Sequence, residues 1–239
     1  MPKHAQTTID SAEIAKFEAM ADEWWDLEGK FAPLHKFNPV RIEYISNHIR
    51  QKLSKIDGVS ILDIGCGGGL LAEPMARLGA SVTAIDASEK NIKIASLHAE
   101  KSGLKIDYQA TTAETLAAEG KQFDVVLSME VIEHVADVEA FLNANASLVK
   151  PGGTLIVATL NRTAKSFALA IVGAEYVLRW LPRGTHDWKK FLKPSEIESI
   201  LRHQLDLVES KGASFNLLSN SWSLSNDLST NYMMQFEKK

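Results

Sequence analysis

The chain has 239 residues, 45% of them hydrophobic, which suits one large α/β domain that buries a core. A net charge of -4 supplies no basic excess, so nucleic acid is not an expected partner. The lone cysteine, Cys66, excludes an intrachain disulfide, no run reaches the roughly 18 apolar residues of a membrane span, and the polar Met1–Asp10 does not read as a targeting leader.

The first predicted element is helical. Asp10 can cap it, Glu13 completes a capping box, and Ile9 with Ile14 forms a hydrophobic staple. Ile14, Phe17, Met20, Ala21, Trp24 and Trp25 recur at helical spacing, so this helix has an apolar face that must cover something. A second helix is predicted from Pro39 to about Leu53, with Pro39 in its first turn. Residues 1–55 thus read as a helical cover on a single domain spanning 1–239.

Strands and helices then alternate. Strands are predicted at Val59–Ile64, Ser81–Ile85, Lys105–Gln109, Phe123–Ser128 and Thr154–Leu160. Helices are predicted at Leu70–Leu78, Ser88–Ser102 and Val138–Val149, with a turn at Lys150-Pro151-Gly152-Gly153. This order implies βαβ units on a parallel sheet with right-handed crossovers. The last third breaks the rhythm with an insert at 161–184, a helix from Pro194, and two late strands, Leu205–Ser210 and Tyr232–Glu237, forming an antiparallel edge.

The first strand carries Asp63 and runs into Gly65-Cys66-Gly67-Gly68-Gly69. A dinucleotide fingerprint needs glycine three residues after Gly67, where Leu70 stands, and the Lys-Ser/Thr ending of a phosphate loop is missing. Asp86 ends the second strand about 20 residues on, where a carboxylate can accept both ribose hydroxyls. A loop without a pyrophosphate cradle, followed by a ribose acceptor, fits S-adenosylmethionine (SAM). Cys66 reads as a small neutral filler beside it.

After the fourth strand comes Met129-Glu130-Val131-Ile132-Glu133-His134-Val135. In a helical turn, Glu130, Glu133 and His134 share one face. Such a group can take a proton from an acceptor hydroxyl, or hold a divalent cation such as Mg²⁺ or Zn²⁺. A solvated helix start is the plain alternative.

The glycine loop and Asp86 resemble those of class I SAM-dependent methyltransferases. The resemblance implies a Rossmann-like, mostly parallel seven-stranded sheet flanked by helices. It also implies cofactor contacts at Asp63, Gly65, Gly67 and Asp86, at Ala113 and Glu114 near the adenine, and at Ser128 and Met129. A closer resemblance rests on Ile14-Ala15-Lys16-Phe17-Glu18, Trp24-Trp25-Asp26-Leu27-Glu28-Gly29, Asn38-Pro39-Val40-Arg41, Met129–Val135, Gly173-Ala174-Glu175-Tyr176 and Gly184-Thr185-His186-Asp187. These look like the ubiquinone-biosynthesis O-methyltransferases, from about Ile14 to Ser195. That family implies methylation of polyprenylated catechol-type phenols at both O-methylation steps of the pathway. It adds Arg41 to the cofactor contacts, suggests a metal at Glu130, Glu133 and His134, and leaves a biosynthetic complex as a possible partner.

A polyprenyl substrate lies in a membrane. The insert combines Phe167, Leu169, Ile171, Tyr176, Trp180 and Leu181 with Arg162, Lys165, Arg179 and Arg183. It reads either as an interfacial segment on lipid or as a lid or core-covering helix. The expected location is the cytoplasm, with peripheral contact on the inner face of the membrane.

Overall fold

The computed structural model describes residues 8–169, 171, 187–216 and 220–239. Most of the insert, including Tyr176, Arg179, Trp180, Leu181 and Arg183, lies outside the described residues, as does His186 of the Gly-Thr-His-Asp motif.

Among the described residues eight strands form one sheet: β1 Ser60–Ile64, β2 Ser81–Asp86, β3 Asp107–Ala110, β4 Phe123–Met129, β5 Val149–Leu160, β6 Leu205–Asn216, β7 Ser221–Ser225 and β8 Asn231–Lys238. Their spatial order is β3-β2-β1-β4-β5-β8-β6-β7. The first five run parallel, and the last three pair antiparallel. The central strands read as continuous apolar runs because both of their faces are buried. Ile61, Val125, Leu127, Ile156 and Met233 point into one core with Tyr44, Ile45, Ile49 and Met75. Leu62, Ile64, Val126, Leu155, Val157 and Met234 point into the other with Leu142, Ile197 and Phe236. This is the period-2 alternation of a strand.

The helices are α1 Ser11–Glu18, α2 Ala32–Leu53, α3 Ala72–Arg77, α4 Glu89–Lys101, α5 Ala113–Ala118, α6 Val138–Ser147, α7 Ala164–Ser166 and α8 Pro194–Leu201. Asp10 caps α1 as expected, accepting from the Ala12 and Glu13 amides. The helix stops at Glu18, however, and a short 3₁₀ turn, Ala21–Glu23, carries the chain to the two tryptophans. The second helix starts seven residues before Pro39 and takes Pro33 into its first turn. An interior proline costs about 3 kcal/mol. Here Phe37, Val40, Tyr44 and Ile45 are buried around it, and Asn38 Nδ2 donates to the Leu70 carbonyl at 2.6 Å. Packing outweighs the local signal.

Three further expectations change. The sheet has eight strands, because Ser221–Ser225 adds to β6. Leu205–Ser210 and Tyr232–Glu237 do pair antiparallel, but β8 lies between β5 and β6 and the outermost strand is β7. Lys150–Gly153 is an irregularity inside one long strand, where the pairing jumps from Phe123↔Val149 to Val125↔Thr154. The sheet order reverses direction at β1, whose carboxyl end therefore opens the crevice where open α/β sheets bind ligands.

Candidate active site

A cavity of about 270 Å³ opens at the carboxyl ends of β1, β2 and β4 and is roofed by residues 8–34. Of the cofactor contacts expected from the sequence, Arg41, Asp63, Gly65, Gly67, Asp86, Ala113, Glu114 and Met129 all line it. Ser128 does not; it is fully buried in β4.

Gly65 and Gly67 adopt φ +68° and +53°, the left-handed region that favours glycine. Space matters as much. A Cβ at Gly65 would sit 2.5 Å from Val131 Cγ2, and one at Gly67 would enter the Trp24 ring. Asp86 is held by its surroundings: Oδ2 accepts from the Gly67 amide at 2.9 Å, and Oδ1 accepts from the Ser88 amide at 2.9 Å and from Asn91 Nδ2 at 3.2 Å. Oδ1 thus has two donors and Oδ2 one, which leaves Oδ2 capacity for a further donor. Cys66 is buried, and burial pushes its thiol up, which makes it unreactive filler.

Opposite the loop, Arg41 is 4% exposed and donates to Asn38 Oδ1 at 2.9 Å. Its Nε has no hydrogen-bond partner among the described residues, and neither does Asp63 Oδ2. Burial pushes the Asp63 carboxyl up to about 7, against the pull of Arg41. A buried cation and a buried carboxyl, each with an orphaned atom and both lining the cavity, suit the carboxylate and ammonium of an amino-acid moiety. Together with Asp86 they fit SAM.

Strand β4 ends at Met129, and the chain turns sharply through Glu130, whose φ is +60°. That conformation is uncommon outside glycine and costs of order 1–3 kcal/mol. The Glu130 amide donates to the Ala158 carbonyl at 2.9 Å, and a short 3₁₀ turn, Ile132–His134, follows. Glu130, Glu133 and His134 therefore do not lie on one face of an α-helical turn. All three line the cavity, but their polar atoms diverge. Glu133 is 3% exposed and accepts from Thr159 Oγ1 at 2.9 Å. His134 Nδ1 donates to Glu13 Oε2 at 2.9 Å. Burial and the neighbouring Glu133 carboxylate push Glu130 up, so it favours its protonated form. Among the described residues no group of three His, Cys, Asp or Glu side chains is placed to hold an ion. The residues as they stand do not fit the metal suggested by the resemblance.

Glu13 does not close the expected capping box. Its carboxylate instead leaves α1 for His134 and for Lys190 Nζ, which donates to it at 3.1 Å and to Asp10 Oδ2 at 3.1 Å. The hydrogen bond from His134 draws the Glu13 carboxyl down to about 2. Phe17 meets the imidazole edge-on, centroids 5.0 Å apart. The cover also touches the loop directly: Trp25 Nε1 donates to the Gly68 carbonyl at 2.9 Å, while its ring stacks on His98. Asp187, from the Gly-Thr-His-Asp motif, caps the 3₁₀ turn Trp188–Lys190 by accepting from the Lys189 amide. His35 Nε2 lies 2.8 Å from the Trp24 carbonyl.

Fold and site together define a class I SAM-dependent methyltransferase, and a methyltransferase-domain family matches residues 62–157. Magnesium protoporphyrin IX methyltransferase from Synechocystis PCC 6803, solved with bound SAM, shares the fold: TM-score 0.64, 16% identity, 96% of each chain covered. The ubiquinone biosynthesis O-methyltransferase of Dinoroseobacter shibae is 60% identical, with 95% of each chain covered. That of Brucella anthropi is 55% identical over 100% of this chain and 99% of its own. The chain belongs to the ubiquinone biosynthesis O-methyltransferases, enzymes that use SAM as methyl donor.

Proposed function

We propose that the chain methylates the phenolic hydroxyl of polyprenylated catechol-type intermediates, at both O-methylation steps of ubiquinone biosynthesis. The observation that carries this reading is one cavity lined both by a SAM-shaped set, Arg41, Asp63 and Asp86, and by a histidine hydrogen-bonded to a carboxylate, His134 with Glu13. Arg41 and Asp63 bind the amino-acid end of the donor, Asp86 binds the ribose, and Ala113 and Met129 wall the base and the sulfur. When bound, SAM supplies an electrophilic sulfonium methyl that a phenolate oxygen can take in line.

The remaining tasks fall to this chain's own residues. A phenol with pKa near ~10 is only about one part in 10³ ionised at pH 7. With Nδ1–H donated to Glu13, His134 has its other nitrogen as a proton acceptor. Glu13 orients the ring and stabilises the imidazolium once the phenol proton has arrived. A positioned base supplies ~10²–10⁴ in rate, and alignment of the reacting groups ~7–11 kcal/mol. No step here uses a metal ion.

The test is methyl transfer from SAM to a short-chain catechol analogue, followed by product mass, with and without EDTA. Product formation insensitive to EDTA is expected. No product with any catechol overturns the acceptor assignment. Loss in EDTA, restored by Mg²⁺, would return Glu130 and Glu133 to a ligand role.

We also propose that the insert brings the enzyme to anionic lipid. Phe167 and Leu169 at its start are 46% and 51% exposed, with the cationic Lys165 of α7 close by in the chain. Among the described residues no helix is long and apolar enough to cross a membrane; the contact proposed is a peripheral one. Sedimentation with anionic vesicles of wild type against Trp180→Glu with Leu181→Glu decides it; equal binding would sink the idea.

A further inference from the structure

One buried amide sits between the candidate ribose acceptor and the cover. Asn91, in the first turn of α4, is 3% exposed. Its Nδ2 donates to Asp86 Oδ1 at 3.2 Å, and its Oδ1 accepts from Trp24 Nε1 at 2.9 Å. Trp24 is 7% exposed, stacks on Phe31 with centroids 3.7 Å apart, and packs against Gly67 and Gly68, where a Cβ on Gly68 would come within 2.5 Å of Trp24 Cβ. The same helix start is tied to the cover a second time, as Ser88 Oγ donates to Glu18 Oε1 at 2.7 Å.

We infer that Asn91 and Trp24 are positioning residues for the cofactor: the Asn91 side chain joins the Asp86 carboxylate to the N-terminal cover, so holding the ribose and seating the cover are linked. The inference rests on the reading that Asp86 takes the ribose diol. Its physical basis is that an amide has a fixed donor and a fixed acceptor end. With Nδ2 committed to Asp86, Oδ1 must point at Trp24, and the indole N–H, a donor only, has no other use for that geometry. Bonds in such a chain polarise one another. Linkage then requires reciprocity: what the cover contributes to ribose binding, the ribose contributes to seating the cover.

The test is calorimetric binding of S-adenosylhomocysteine (SAH) and of its 3′-deoxy analogue to wild type, Trp24→Phe, Asn91→Leu and the double variant. Trp24→Phe keeps an aromatic ring and removes the N–H. It is expected to weaken SAH about 3- to 10-fold, the range of one net hydrogen bond. The penalty for losing the 3′-hydroxyl should shrink in Trp24→Phe, and the double variant should bind about as well as the weaker single one. The steady-state loss should fall on KM for SAM and leave KM for the catechol unchanged. Tryptic cleavage at Lys16 and Lys30 should be suppressed by SAH in wild type, and less so in Trp24→Phe. If the two substitutions multiply, with the deoxy penalty unchanged, the relay is overturned and both residues serve packing alone. If Asn91→Leu does not fold, the deoxy penalty measured in Trp24→Phe against wild type decides the question without it. Asp86→Asn is the separate control: undiminished SAH binding there would remove the ribose reading itself, and the inference with it.

Discussion

Glu13 and His134 stand 121 positions apart in the chain and meet at 2.9 Å, one on the cover and the other beyond the end of a central strand. The candidate base is therefore oriented by a helix outside the sheet. Glu13→Gln should lower kcat about 10- to 100-fold, a part of what a positioned base supplies, with KM for SAM unchanged. His134→Ala should lose more. Steady-state assays with the catechol analogue check both, and near-normal turnover in His134→Ala would remove the base assignment.

The same pair has a stability signature in acid. Glu13 titrates near 2 in the fold, below its ordinary 4.5, so folding favours the ionised form. Its contribution is whole above pH 4.5 and is lost as pH falls toward 2. Solvent screening holds it to on the order of 1 kcal/mol. Urea unfolding of wild type and Glu13→Gln should differ at pH 7 and converge near pH 2.

Asp63 gives a proton linkage to cofactor binding. Burial holds its carboxyl near 7, whereas an ammonium beside it favours the carboxylate. Binding SAH below pH 7 should release a proton, so affinity should rise with pH up to about 7 and then level off. Calorimetry in two buffers of different ionisation enthalpy measures the proton, and Asp63→Asn should abolish it.

At Gly65 two penalties can be separated. Gly65→Ala meets Val131 at 2.5 Å and must hold φ +68°. Adding Val131→Ala should recover the steric part but leave roughly 1–2 kcal/mol of backbone strain. Thermal unfolding and SAH affinity of the two variants check the division. Full recovery would mean that space alone demands the glycine.

The cofactor half is legible in the sequence because its signals are local: a strand, a glycine loop, and a carboxylate at the end of the next strand. The base half is legible in composition but not in shape. Glu130, Glu133 and His134 do reach the cavity, yet helical spacing gives them a common face that the left-handed turn at Glu130 takes away. Glu13 escapes for the opposite reason. A capping box explains it locally, and nothing near it in the chain announces His134. Asn91 passes as an ordinary polar residue of a helix start, since its meaning lies in what packs above it. Pro39 misplaces a helix start because burial of Phe37 and Val40 overrides a proline. The extra strand β7, Ser-Trp-Ser-Leu-Ser, alternates polar and apolar side chains but is only five residues long, with none of them fully buried.

The placement of β8 between β5 and β6 bears on how the molecule is made. The residues that build the cofactor crevice all precede β8 in the chain. Until Asn231–Lys238 arrives, β5 offers an unpaired edge along Leu155–Ala158, and β6 with β7 has nothing to join. An open apolar edge on a half-finished sheet invites pairing with other chains. During synthesis, protection of that edge waits until β8 has left the ribosome.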